Sequence, residues 1–342
     1  MKKLFLIDGN AILHRAYHAM PLFKTTKGEL VNAVYGFSSM LLNIINTQKP
    51  EYIAVSFDRK APTIRHEEYK EYKATRVKAP DDLYGQLPRI KQIVETFNMP
   101  IFEMDRYEAD DILGTLARQV EELNDGRSTS PLGGQSDDQC NGQPDVGHSS
   151  DGQSSNQSDD RIHTFIVTGD MDTLQLISPS TFVFAPQHGV LDYIIYDDAK
   201  VLSKYGLTPS QIVDFKALKG DASDNIPGVM GIGEKTAVDL LQKYKTLEGI
   251  YANLSEVRDT VRAKLEKDRE SAFFSQHLAT IMRDVPIELD IEKCRTHDFE
   301  LDRIIHLFEE LEFKSLIGKI TKFNNHYSPI RKVEDSGQPS LF

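Results

Sequence analysis

The chain has 342 residues, 39% of them hydrophobic, and a formal net charge of −12. That length buries a sizeable core and suits a main domain with a smaller one beside it. No apolar run is long enough for a membrane span, and the two cysteines, Cys140 and Cys294, support neither a disulfide framework nor a cysteine-based zinc site. The first apolar run is broken at Asp8, too early for a signal peptide, so a cytoplasmic protein is expected. The acidic balance argues at first against a nucleic-acid partner. Its distribution weakens that argument: residues 124–161 hold seven Asp against two Arg, and nine further acids fall into the motifs below.

Leu4-Phe5-Leu6-Ile7 predicts a fully buried strand, ended by Asp8-Gly9-Asn10 and followed by a helix over 11–20. A second helix is expected over 32–46 and a second strand over 52–57, again ended by an acid, Asp58. Residues 59–78 then carry seven basic side chains against three Glu, with Tyr69 and Tyr72 interleaved. Cations for phosphates and flat rings for bases fit single-stranded nucleic acid; a solvated charged loop fits the same composition. A helix over 82–97 has Pro88 in its first turns, and 101–104 is a short strand candidate.

Tyr107-Glu108-Ala109-Asp110-Asp111 opens a helix that runs to about Leu123. Acids in a first helical turn are ordinary capping chemistry, but adjacent carboxylates repel unless a cation lies between them. Glu108 and Asp111, three apart, are expected to share the ion-facing side, with Asp110 approaching from the flank. Residues 124–161 are low-complexity and read as a disordered surface insertion; Cys140 and His148 within it do not make a metal site. A strand over 162–168 ends in Gly169-Asp170-Met171-Asp172. Short strands follow at 182–185 and 190–196, the latter antiparallel to a neighbour. Thr208-Pro209 opens a helix through Leu218, and Asp221 and Asp224 follow, sharing a face if their turn is helical.

Pro227-Gly228-Val229-Met230-Gly231-Ile232-Gly233-Glu234-Lys235-Thr236-Ala237 is a helix-hairpin-helix signal. Gly228, Gly231 and Gly233 allow backbone to approach a ligand closely, the helix over 234–244 presents its amino end, and Lys235 and Thr236 add phosphate contacts. Further helices are expected over 247–267, 271–282 and 299–320, then a polar tail.

Nine acids thus form one set: Asp8, Asp58, Glu108, Asp110, Asp111, Asp170, Asp172, Asp221 and Asp224. Strand-end placement converges them on one edge of a parallel sheet, the arrangement a two-metal phosphodiester hydrolase demands. Hard oxygen donors select Mg²⁺ or Mn²⁺.

These motifs, with Ser56-Phe57-Asp58, Tyr72-Lys73-Ala74-Thr75-Arg76 and Gly220-Asp221-Ala222-Ser223-Asp224-Asn225-Ile226-Pro227, resemble the 5′-nuclease domain of bacterial DNA polymerase I, in the flap-endonuclease family. The resemblance covers about residues 1–320 apart from the insertion. It implies an α/β fold with a PIN-like, mostly parallel sheet over 1–200, a helical arch over 59–80 and a helical DNA-binding domain over 201–320 with its hairpin at 225–237. It implies Mg²⁺-dependent cleavage of 5′ ends and 5′ flaps by a monomer acting on flapped, nicked or branched DNA. The nine acids would hold two ions. Lys73 and Arg76 would face the scissile phosphate, Tyr72 would stack on a base, Arg15 would add a phosphate contact, and K⁺ would bridge hairpin and duplex. No polymerase part is present, so a stand-alone nuclease is expected. Gln338-Pro339-Ser340-Leu341-Phe342 resembles the bacterial sliding-clamp-binding pentapeptide in a flexible tail over 321–342; an unused terminus is the other reading. Two other functions stay open: a non-catalytic binder of branched DNA, and a PIN-type ribonuclease.

Overall fold

The structure is a computed structural model and describes residues 1–126, 161–187, 192–296 and 299–327. Most of the expected insertion and the whole Gln338–Phe342 pentapeptide lie outside the described residues.

Six strands form one sheet: β1 (Lys2–Asp8), β2 (Tyr52–Ser56), β3 (Ile101–Phe102), β4 (Ile162–Val167), β5 (Thr181–Pro186) and β6 (Tyr193–Tyr196). Their order is β3-β2-β1-β4-β5-β6; only β6 runs antiparallel, against β5. β1 reads as an unbroken apolar run because both of its faces are covered. Phe5 and Ile7 pack on one face with α1 (Gly9–Ala19) and α2 (Asn32–Gln48); Leu4 and Leu6 pack on the other against α6 (Ala109–Asn124).

Between these lie three short helices. The segment 59–80 contains α3 (Ile64–Glu68) and a series of turns rather than a helical arch. α3 ends where Tyr69 turns extended at φ −139°, and Lys73, in the left-handed region at φ 57°, donates its N–H to Asp224 O at 2.9 Å. Asn225 Nδ2 bonds Glu71 O, so the segment is tied down onto the Asp221–Asp224 turn. The helix expected over 82–97 is two: α4 (Asp81–Tyr84) and α5 (Leu87–Thr96). Pro88 falls in the first turn of α5, where its missing N–H costs nothing. The buried Gln86 side chain accepts Ala33 N–H and donates to Asn32, fixing the joint.

A second core gathers Leu207, Leu218, Val229, Ile232, Leu241 and Leu265. It is built by α7 (Asp198–Tyr205), α8 (Ile212–Lys219), α9 (Glu234–Tyr244), α10 (Leu247–Ala252), α11 (Asp259–Lys267) and α12 (Arg269–Ala279). The single helix expected over 247–267 breaks at a 3₁₀ turn, Leu254–Glu256. After α12 the chain returns to the sheet. Ile281, Val285 and Leu289 pack with α6, and α13 (Leu301–Glu310) and α14 (Lys314–Tyr327) join the opposite face. The helical unit therefore packs as a core of its own only to about residue 280, not to 320. The helix expected over 299–320 divides at Glu312, whose φ is 62°, and α14 continues to Tyr327. Among the described residues no helix is long and apolar enough to cross a membrane.

Candidate metal centre and nucleic-acid interface

Parallel register assembles the first three acids. Asp8 ends β1 beside Ser56, and Ile7 pairs with Val167. Asp58 and Asp170 therefore follow the two neighbouring strands and flank Asp8 at the same sheet edge. Each is pinned through a carboxylate oxygen: Asp8 accepts Ala11 N–H and the Thr168 hydroxyl at 2.9 Å, Asp58 accepts Ala109 N–H at 2.7 Å, and Asp170 accepts Asp172 N–H at 2.9 Å. Glu108 and Asp110 at the start of α6 close the wall. These five acids line one cavity of about 270 Å³, together with Lys73, Arg76, His14 and Tyr84.

The cavity stresses its carboxylates. Burial, then the charge of Asp58, pushes Asp8 up to about 7. Burial raises Asp58 as well, and burial with the charges of Asp111 and Glu108 raises Asp110 far above the usual carboxylate range. Among the described residues no three acids already close on a common point. A hard divalent cation among these all-oxygen donors would relieve the repulsion. The donor set fits such an ion.

Asp111 is the main departure from expectation. Glu108 and Asp111 do share a helix face, but that face is turned to Arg65. The buried guanidinium holds Asp111 with two bonds of 2.8 Å, reaches Glu108 at 3.2 Å, and donates to the carbonyls of Leu278 and Thr280. Asp111 also accepts the backbone N–H groups of Glu108 and Met282. It is fully buried and lines neither acid-walled cleft, whereas Asp110 faces the cavity. Asp111 is thus a clasp between α6, α3 and the end of α12, and Asp110 takes the ion-facing position. Arg65 was invisible as a separate signal because it sits among six other basic residues in 59–78.

A second cleft adjoins the first and shares Asp170 with it. Asp172, Asp221 and Lys216 are in its lining. The Lys216 ammonium bridges the two carboxylates, reaching Asp221 at 2.5 Å and Asp172 closer still. Against the effect of burial, Lys216 and Ser223 pull Asp221 down to about 2, while burial and the charge of Asp170 push Asp172 up to about 7. The acids of this cleft therefore have a balancing lysine. Asp221 pairs with Ile226 across a bridge rather than in a helical turn, so Asp224 faces elsewhere, to Arg76 at 2.5 Å and Tyr72 at 3.4 Å.

Tyr72 departs from its expected part too. It is 4% exposed, packed with Ile226, Leu278 and Ala279, and its hydroxyl donates to Glu108 at 3.0 Å. No face is free to stack on a base. Lys73 Nζ reaches Glu108 at 2.7 Å, Arg76 is half exposed, and both cations line the cavity. Arg15 donates to the Gln187 carbonyl.

In the hairpin, a Cβ on Gly228 would lie 2.3 Å from Gly220 N, and both glycines have positive φ. Gly233 caps α9 with no side chain and with open space around it. Lys235 is exposed and Thr236 half-buried. The Gly231 carbonyl, in the hairpin expected to meet the duplex through K⁺, already accepts from Lys264 Nζ at 2.8 Å. An ion there would have to displace that ammonium.

Two family models match this chain: "5'-3' exonuclease, N-terminal resolvase-like domain" over residues 3–130, and "5'-3' exonuclease, C-terminal SAM fold" over 207–302. DNA polymerase I of Caldicellulosiruptor bescii is 38% identical over 93% of this chain, and that of Bacillus subtilis 35% identical over 98%. The chain spans only about a third of those relatives' length, 33% and 34%. Among solved structures, a zinc-bound T5 5′-exonuclease superposes with a TM-score of 0.60 at 16% identity, covering 94% of this chain and 99% of that one. The catalytic core of Rad2 in complex with DNA gives 0.57 at 13% identity, covering 94% and 92%. Those likenesses establish the fold. With both family models matched in order and the acid-walled cavity in place, the chain belongs to the 5′-3′ exonuclease family.

Proposed function

We propose that this chain is a structure-specific 5′-nuclease that hydrolyses DNA phosphodiesters at 5′ ends and 5′ flaps with two divalent ions, Mg²⁺ or Mn²⁺. The observation that carries the reading is the cavity with five acids on one wall and Lys73 and Arg76 at its mouth. Asp8, Asp58, Glu108, Asp110 and Asp170 would hold one ion, and Asp170, Asp172 and Asp221 the other. Bound there, such ions lower the pKa of water and stabilise the leaving oxygen. Lys73 and Arg76 attract the phosphate and offset its charge against the acids. Glu108 is held by Arg65, Tyr72 and Lys73, so it enters the site pre-oriented. The T5 D15 flap endonuclease has been solved with DNA and metal ions, which supports the same chemistry here. The protein is read as a cytoplasmic monomer.

The test is a flap DNA labelled at its 5′ end, incubated with Mg²⁺ and with EDTA, beside an RNA strand of the same sequence. Cleavage near the flap junction in Mg²⁺ alone is expected. Cutting in EDTA, or of the RNA alone, would overturn the reading.

The hairpin would grip the duplex backbone through the open N–H groups at Gly233 and the Lys235 and Thr236 side chains. Gly228→Ala should cost roughly 2 kcal/mol or more in chemical denaturation, from backbone strain and the clash with Gly220. Gly233→Ala should leave stability within about 0.5 kcal/mol and weaken duplex binding several-fold in a fluorescence-anisotropy titration. Unchanged binding would remove the hairpin from the interface.

The pentapeptide Gln338–Phe342 is proposed to bind a sliding clamp through Leu341 and Phe342. Equal retention of the parent and of Leu341→Ala, Phe342→Ala on immobilised clamp would sink that idea.

A further inference from the structure

The turn over 221–225 works in two directions. On one side it delivers Asp221 to the second cleft. On the other it is zippered to the basic segment that carries Lys73 and Arg76. Lys73 N–H donates to the Asp224 carbonyl at 2.9 Å, the Thr75 hydroxyl to the Ala222 carbonyl at 3.3 Å, and Asn225 Nδ2 to the Glu71 carbonyl at 2.8 Å. The Arg76 guanidinium spans the Ser223 carbonyl and the Asp224 carboxylate. Lys73 and Asn225 meet across this seam, and both are left-handed at φ 57°. Residues other than glycine keep that conformation where their surroundings fix it. The turn is itself closed, because Asp221 and Ile226 exchange both backbone hydrogen bonds, at 2.9 and 2.8 Å.

Asp224 belongs to the seam and not to the clefts. It is 5% exposed, its carboxylate is taken up by Arg76, Tyr72 and the Ser223 hydroxyl, and it lines neither acid-walled cleft. The segment after α3 has only turns of its own to fix its two cations. A group that meets a reacting phosphate must be placed closely, since a misplacement of about 1 Å can cost on the order of a hundredfold in rate. We infer that the 221–225 turn is the element that positions Lys73 and Arg76 at the acid cavity, with Asp224 and Asn225 as positioning residues and Asp224 ligating no ion. This rests on the nuclease reading above and names how its phosphate-facing cations are placed. One rigid turn thereby spaces those cations against Asp221 in the second cleft.

The experiment uses the full chain and two variants. Asp224→Asn keeps the shape and drops the charge; Asn225→Gly keeps the left-handed backbone and drops the bond to Glu71. Trypsin nicking after Lys70, Lys73, Arg76 and Lys78 is followed by mass spectrometry without DNA or metal. Bound Mn²⁺ is counted by electron paramagnetic resonance, and flap cleavage is measured in Mg²⁺. Both variants should be nicked several-fold faster in 70–78, bind as many Mn²⁺ ions as the parent, and lose roughly tenfold or more in kcat. Arg76→Met with Asp224→Asn should cut no more slowly than Arg76→Met alone, because Asp224 acts through Arg76. Asn225→Gly, which removes no carboxylate, carries the test if Asp224→Asn fails to fold. Loss of an Mn²⁺ ion in Asp224→Asn, parent-like nicking in both variants, or losses that add in full overturn the inference and leave the nuclease reading standing. Faster nicking with the Mn²⁺ count kept, in a protein whose parent never cleaves a flap, keeps the seam and removes the nuclease reading.

Discussion

Asp110→Asn is expected to lower flap cleavage at least a hundredfold while raising the melting temperature of the protein in EDTA. Asp111→Asn, one residue along, is expected to lower the melting temperature. Asp110 lies among like charges, and burial with the charges of Asp111 and Glu108 disfavours its ionised form. Replacing it by a neutral amide removes that repulsion from the ion-free fold, and takes a hard anionic oxygen away from any ion. Asp111 is in the opposite situation. Its charge is matched by Arg65 and by two backbone N–H groups, all buried. Neutralising it leaves the guanidinium buried without its main partner, a change that costs about 3–5 kcal/mol. Arg65→Met should destabilise in the same way, since it strands Asp111. Thermal melts in EDTA beside Mg²⁺-dependent cleavage rates separate the two cases. An Asp111→Asn protein as stable as the parent, or an Asp110→Asn protein that cuts normally, would return Asp111 to the ion-facing side.

This pair also marks where sequence reasoning stopped. Adjacent residues on a helix point about 100° apart, so the sequence shows that Asp110 and Asp111 must differ. It does not show which one turns inward. That phase is set by partners far along the chain: Arg65, 46 residues before Asp111, and the Met282 N–H, 171 residues after it. Asp8, Asp58 and Asp170 were legible for the converse reason. Parallel strands of one sheet end at one edge, so an acid just past each apolar run needs no long-range information to be placed there. The basic run over 59–78 was legible in charge only. Its rings and cations look like a nucleic-acid surface, yet Tyr72 and Arg65 are spent on internal contacts and the one helix of the segment ends at Glu68. Lys216 carried no signal at all, because one lysine on α8 is unremarkable until the fold swings Asp172 beside it. The longer expected helices failed at their joints. Nothing in the periodicity of 299–320 announces the left-handed Glu312 that divides it.

The second large effect is a linkage between pH, divalent ions and stability. Asp8, ordinarily near 3.8, is pushed up to about 7 in the fold. Between those two values the folded chain holds a proton that the unfolded chain has released, so stability falls as pH rises across this window. For Asp8 alone the loss is at most about 4 kcal/mol. Asp172, also raised to about 7, acts in the same direction. His14 acts in the opposite one. Burial, with the charges of His18 and Arg76, lowers it from 6.5, so its contribution rises with pH up to that value. Asp221, held down to about 2, has delivered its contribution before the window opens. Comparing the parent with Asp8→Asn cancels His14 and Asp221 and isolates Asp8. In EDTA the parent should lose stability from pH 4 to pH 7 relative to Asp8→Asn. Divalent ions bind the ionised carboxylates, so Mg²⁺ should bind more tightly as pH rises and displace protons as it does so. The relative loss should then shrink or reverse in Mg²⁺. Calorimetry in two buffers of different ionisation enthalpy would count the protons released near pH 6. A pH slope identical in parent and Asp8→Asn, or one that Mg²⁺ leaves untouched, would mean that Asp8 neither carries the repulsion within the cavity nor meets the ion that relieves it.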